Sequence, residues 1–172
     1  MSRINTISLD TATDATGTVL EGVKKKIGFL PNLFATLATA PVALDTYVQA
    51  SAILGKTSLS AQQKEAVYLA TSQVNGCDYC LAAHTLFGGK SGLSAEDIVA
   101  ARQGELNAYA ALARQLTESR GHLSDAQIAA ARAAGIDDVK IIEVIALVAV
   151  QTLTNYLNNT ALTEIDFPAI DA

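Results

Sequence analysis

The chain has 172 residues, enough for one domain with a sizeable core, and half of them are apolar although only 5% are aromatic and none is Trp. Charged residues make up 17%, too well balanced by apolar ones for disorder, and a net charge of −5 leaves no broad basic field for nucleic acid or anionic lipid. An Ala- and Leu-dominated apolar set points to close-packed helices, because Ala is the best helix former and lets helix axes approach.

Residues 1–13 are expected to be extended; Met1 to Asp10 is polar and lacks the apolar stretch of a signal peptide. Asp14 is the expected cap of a helix reaching about Lys26. Val19, Leu20, Val23 and Ile27 form its apolar stripe, and Lys24-Lys25-Lys26 reads as a solvated face. Gly28 and Pro31 punctuate its end. A short helical piece follows over Asn32 to Thr39, then one opened by Pro41 and closed by Gly55. Ser60 caps a helix from Ala61 to Val74, and Asn75-Gly76 signals a turn. The next helix is expected from Cys77 to Phe87, stopped by Gly88-Gly89.

Two alike starts, Leu93-Ser94-Ala95-Glu96-Asp97-Ile98 and Leu123-Ser124-Asp125-Ala126-Gln127-Ile128, each place a capping Ser before acidic first-turn residues. A helix from about Glu105 to Ser119 lies between them. The last helix is capped by Asp137 and runs to about Asn158, and the tail 163–172 is expected to be extended. Its apolar run, Ile141 to Val150, is ten residues long and interrupted by Glu143, too short to span a bilayer. That run suits a buried or subunit-interface helix. No period-two alternation of useful length occurs. The reading is one all-α domain over residues 1–172. A shift of 78 residues lays Glu65 on Glu143, Leu69 on Leu147 and Gln73 on Gln151, a weak trace of a duplicated helical unit.

The chemistry concentrates between Lys64 and Thr85, KEAVYLATSQVNGCDYCLAAHT. The only two cysteines, Cys77 and Cys80, sit three apart, a spacing of redox chemistry or half a metal site rather than a secreted disulfide scaffold. On a helix starting at Cys77, residues Cys77, Cys80 and His84 share one face. Unpaired N–H groups at the helix start favour a thiolate, and His84 is one turn beyond Cys80, within proton-exchange reach. A hairpin at Asn75-Gly76 brings Glu65 back alongside His84, where a carboxylate sets ring orientation and basicity. Such a set supplies a nucleophile, a resolving thiol and a proton-transfer group. A thiolate that attacks an O–O bond becomes a sulfenic acid, and a neighbouring thiol condenses with it to a disulfide.

The pattern E-x11-C-x2-C-x3-H around NGCDYCLAAHT resembles the alkyl hydroperoxidase D/carboxymuconolactone decarboxylase superfamily, most closely its peroxidase-related CxYC branch. Thr154-Asn155-Tyr156-Leu157-Asn158 and Thr163-Glu164-Ile165-Asp166-Phe167-Pro168 resemble that branch's C-terminal end. The resemblance implies a single-domain helical bundle assembling as a trimer or hexamer, and a thiol-dependent peroxidase in antioxidant defence. It implies Cys80 as the attacking thiol, Cys77 as the resolving one, and Glu65 with His84 as a proton relay. The best-studied branch has a His immediately before the second Cys, where this chain has Tyr79, a side chain expected to line the site.

These readings lead to a cytoplasmic homo-oligomer that takes a hydroperoxide and a dithiol or protein-thiol reductant. No organic cofactor, metal, nucleic acid or membrane is expected. Other readings of the same residues are a general thiol–disulfide oxidoreductase, a redox-sensing or structural oligomer without turnover, and, more distantly, a lactone decarboxylase. Zinc held by Cys77, Cys80, His84 and Glu65 is a minor alternative. His122 reads as a surface loop residue.

Overall fold

The structure, a computed structural model, describes residues 2–168. Among these residues the regular structure is entirely helical: α1 (Asp14–Ile27), α2 (Asn32–Leu37), α3 (Pro41–Leu54), α4 (Ala61–Val74), α5 (Asp78–Ser91), α6 (Ala95–Gln103), α7 (Ala108–Ser119), α8 (Asp125–Ala133) and α9 (Asp138–Ala161). Polar caps define the starts. Ser60, Ser94 and Ser124 each form a reciprocal capping box with the residue three positions on, Gln63, Asp97 and Gln127, and the Asp137 carboxylate accepts from the Lys140 N–H.

Several boundaries differ from expectation. Asp14 is inside α1, whose cap is Thr13, and α2 stops at Leu37 rather than Thr39. α7 begins at Ala108, because the Asn107 side chain accepts from the N–H groups of Tyr109 and Ala110. α5 does not stop at Gly88-Gly89. It continues to Ser91 and ends at Gly92, whose φ of 97° suits only glycine well. Gly88 is helical and serves close packing: a Cβ there would lie 3.3 Å from Leu93 Cδ1. α9 runs to Ala161, and at 24 residues it is long and apolar enough by length and composition to cross a membrane, unlike the ten-residue run read from sequence. It packs instead against α3, α4, α5 and α7. It also passes unbroken through the positions aligned with Asn75 and Gly76. Residues 2–13 and 163–168 carry no helix; the remainder of the expected extended tail lies outside the described residues.

α4 is the central element, touching α5, α6, α7 and α9. Its residues Ala66, Val67, Leu69 and Ala70 are fully buried in a core shared with Ile98, Leu112, Val144 and Leu147. A second core joins Leu20, Leu33, Leu37 and Leu44 to Cys77, Tyr79, Cys80, Ala83 and Phe167. The thiols thus belong to the second core, on a helix whose other face packs against the first. Leu69→Ala is expected to destabilise the fold by about 2–5 kcal/mol, since it removes buried methyls and leaves a cavity. Urea unfolding of the variant checks this, as a fall in midpoint with an unchanged slope.

Candidate active site

α4 and α5 form a hairpin whose turn is Asn75-Gly76, with Gly76 at φ 60°. Cys77 is therefore the N-cap of α5 rather than its first residue, and its Sγ accepts from the Cys80 N–H at 3.3 Å. Both cysteines are reduced and buried. Their three-residue offset at a helix start falls within the Cα span that a disulfide bridges.

The two thiols titrate unequally. A hydrogen bond from the Cys77 thiol is the largest influence on Cys80 and lowers its pKa to about 6, against an opposing push from burial. The Asn158 amide, 3.3 Å from Cys80 Sγ, and the nearby His84 lower it further. The same shared proton, together with burial, pushes Cys77 strongly upward. At neutral pH the pair is thus a thiolate at Cys80 and a thiol at Cys77, which is the protonation state a nucleophile with an adjacent resolving group requires.

His84 Nδ1 donates to Glu65 Oε2 at 2.8 Å, and its Nε2 faces Gln151 Oε1 at 3.2 Å. Burial pulls the imidazole pKa down, but the Glu65 carboxylate, the Cys80 charge and Gln151 outweigh it, so the net shift is upward. With both ring nitrogens facing oxygens, the imidazolium is the form this amide orientation fits; a flipped Gln151 suits the neutral ring. Tyr68 and Phe87 flank the imidazole, at 4.7 and 6.4 Å between centroids. From Gln151 a polar chain continues inward: its Nε2 donates to Ser72 Oγ (2.9 Å), which also accepts from Asn155 Nδ2 (3.2 Å), and Asn155 Oδ1 accepts from Asn75 (2.9 Å). Among the described residues no hydrogen bond joins His84 directly to either thiol. Proton exchange with Cys80 therefore needs a substrate atom or a water between them.

A cavity of about 100 Å³ reaches Cys80. Its wall includes Leu33, Phe34, Tyr47, Phe87 and Phe167, with His84, Gln151 and Asn158 supplying polar atoms. Tyr79 lines the cavity, but its hydroxyl is occupied: it accepts from the Leu33 N–H (3.1 Å) and donates to Asp166 Oδ1 (2.9 Å). Asp166 in turn caps α2 by accepting from the Asn32 N–H at 2.7 Å. Tyr79 thus fastens the C-terminal segment so that Phe167 closes one side of the cavity, edge-on to Phe29, Tyr79 and Phe87.

The five residues picked from sequence, Glu65, Cys77, Tyr79, Cys80 and His84, are brought together here; exposed His122 is elsewhere. No group of three or more His, Cys, Asp or Glu among the described residues is placed to hold a metal ion. Sequence reasoning missed Gln151, Asn155, Asn158, Asp166 and Phe167 as site residues. A signal for the first three existed: at spacings of four and three they continue the buried stripe of Val144, Leu147 and Val148 with amides. Asn158 is the most consequential. Its Nδ2 bonds the Cys80 sulfur, while its buried Oδ1 has no partner. Asn158→Leu should raise the Cys80 pKa from about 6 toward the ordinary thiol range. The pH profile of iodoacetamide alkylation reads that change directly, and an unmoved inflection would refute the role.

Residues 38–119 match the carboxymuconolactone decarboxylase family model. No curated protein is similar enough in sequence to match. Among solved structures, the alkylhydroperoxidase AhpD core of a peroxidase-related protein from Ralstonia eutropha superposes with a TM-score of 0.85 at 23% identity, covering 96% of this chain and 92% of that one. A peroxidase-related protein from a Silicibacter species gives 0.79 at 20% identity, with 95% and 94% covered. A cysteine-to-alanine variant of the debrominase Bmp8, in complex with 2,3,4-tribromopyrrole, gives 0.80 at 18%, with 96% and 92% covered. These likenesses establish a shared helical fold. The family match covers α3 to α7, so that stretch of the chain is similar to the carboxymuconolactone decarboxylase family, within a fold like that of the alkylhydroperoxidase AhpD core.

Proposed function

We propose that the protein is a dithiol peroxidase that reduces an alkyl hydroperoxide at Cys80. The observation that carries this reading is the buried Cys77–Cys80 pair, with its proton on Cys77 and its thiolate at the end of a hydrophobic cavity. The Cys80 thiolate attacks the distal peroxide oxygen, the O–O bond breaks, and the departing alkoxide takes a proton and leaves as an alcohol. His84, held in place by Glu65, supplies that proton through an intervening water. Cys77 then attacks the Cys80 sulfenic acid; a disulfide forms and water leaves. A dithiol or protein-thiol reductant returns the two electrons. A cytoplasmic setting fits, since its thiol pools keep such pairs reduced.

The test is to mix pre-reduced protein with one equivalent of cumene hydroperoxide, then count thiols and alcohol. Loss of two thiols per chain with one equivalent of cumyl alcohol is expected; retention of both thiols would overturn the reading. A second reading is reductive dehalogenation, favoured by the aromatic cavity wall and the like-folded debrominase. There the thiolate takes the halogen as its cation, Cys77 expels halide, and a proton replaces the halogen on carbon. A parallel incubation with 2,3,4-tribromopyrrole, followed for bromide release, separates the two.

Self-association, as a trimer or hexamer, is part of the proposal. Along the outer face of α9, Val139, Ile142, Ala146, Ala149, Leu153 and Tyr156 follow the alternating three–four spacing of a helix-pairing seam, with Val139, Ile142 and Tyr156 each more than 60% exposed. The double variant Ile142→Glu/Leu153→Glu should shift the light-scattering mass to that of one chain, 17.9 kDa. An unchanged assembly would show that the seam lies elsewhere.

A further inference from the structure

Beside the cavity at Cys80 lies an outer hollow of about 500 Å³, and Ile27, Tyr47, His84, Phe87 and Gln151 border both spaces. Tyr68 and Val150 give the hollow apolar walls, and Lys26 from α1 and Lys90 from α5 stand at it. Neither lysine has a carboxylate within ion-pair distance among the described residues, and the one carboxylate of the hollow, Glu65, is held by His84 at 2.8 Å. Lys90 instead hangs over the Phe87 ring, 5.8 Å from its centroid. Lysines in last turns complement helix dipoles, which accounts for their places along α1 and α5. It does not account for two helices converging on one hollow in a chain whose net charge is −5.

We propose that the substrate is an amphipathic hydroperoxide with a carboxylate at one end and its –OOH near the other. The carboxylate rests between Lys26 and Lys90, the alkyl chain lies along Tyr68, Val150 and Phe87, and the peroxide reaches Cys80. Lys90 is ten residues beyond Cys80 on the same helix, about 15 Å along its axis, which sets the length the molecule must span. The inner cavity of about 100 Å³ leaves little room for a tail past the peroxide, so a terminal hydroperoxide fits best. This inference rests on the peroxidase reading of the same site and adds the class of substrate. It also gives a use to the last member of the basic run Lys24-Lys25-Lys26, beyond that of a solvated face.

The experiment compares 12-hydroperoxydodecanoate with its methyl ester, as kcat/KM on the full-length protein. Two exposed charges, each contributing a few-fold, should favour the acid by about tenfold at low salt, with the advantage shrinking as ionic strength rises. In the Lys26→Ala/Lys90→Ala protein the acid-to-ester ratio should fall to about one. A wild-type ratio near one, in a protein that does reduce cumene hydroperoxide, overturns the inference and leaves the peroxidase reading standing. A wild type that reduces no hydroperoxide overturns the peroxidase reading, and a non-reacting probe then decides the anion site alone. Dodecanoate should slow iodoacetamide alkylation of Cys80 in the wild type, but not in the double variant, and dodecanol should not slow it. Equal protection by acid and alcohol would overturn the site.

Discussion

Cys80→Ser protein will consume hydroperoxide no faster than buffer does, a loss of about 10³-fold or more, as expected when the nucleophile of a covalent mechanism is removed. The serine hydroxyl is nearly isosteric, so the fold should persist, but it does not ionise near neutral pH and cannot carry a sulfenic acid. Cys77, left alone, does not take over. Its thiol is fully buried, burial still raises its pKa once the Cys80 thiolate is gone, and the cavity that reaches position 80 is not lined by it. Peroxide consumption by the variant, measured with a thiol donor present, checks this. Full turnover by Cys80→Ser would mean that Cys77 or another group attacks.

Variants at Cys77 divide its two roles. Cys77→Ser keeps a hydrogen-bond donor beside Cys80 but cannot close a disulfide. It should complete one turnover and stop with Cys80 as a sulfenic acid, detectable by dimedone labelling and mass spectrometry. Cys77→Ala removes the donor as well, and with it the largest cause of the lowered Cys80 pKa. The sign follows: in the wild type the thiolate is present above about pH 6 and is lost as pH falls through that value. In Cys77→Ala the inflection moves to higher pH. The first-turnover rate at pH 6.5, on the order of the thiolate fraction, should therefore fall severalfold to about tenfold and recover at high pH. An alanine variant with the wild-type inflection would show that Asn158 and the start of α5 suffice to hold the thiolate.

The motif was legible because it is local. Cys77, Cys80 and His84 are fixed by helical spacing, and Glu65 by a tight hairpin at Asn75-Gly76, so sequence arithmetic could bring all four together. Starts of helices with Ser caps were equally readable. The helix ends were harder. Gly88 looked like a stop, yet it is a packing residue under Leu93 and Ile98, and a sequence does not distinguish glycine chosen for conformation from glycine chosen for space. What local spacing did not place at the site is its long-range half. Asn158 and Gln151 come from α9, and Asp166 and Phe167 from the segment after it, all far along the chain from the CxxC. Their placement depends on how α9 packs across α4 and α5, which no local spacing encodes. Tyr79 illustrates the difference. From sequence its part at the site was open; the structure shows its hydroxyl bonded to Asp166 and Leu33 rather than free for proton transfer.

The most direct test of the central claim is the rate at which Cys80 is oxidised. Pre-reduced protein mixed with cumene hydroperoxide in a stopped-flow instrument at pH 7 should show oxidation far faster than a free small thiol at the same concentration. It should end in a Cys77–Cys80 disulfide, lighter than the reduced chain by two hydrogens. Oxidation no faster than the free thiol, or a reduced mass after the reaction, would contradict the account.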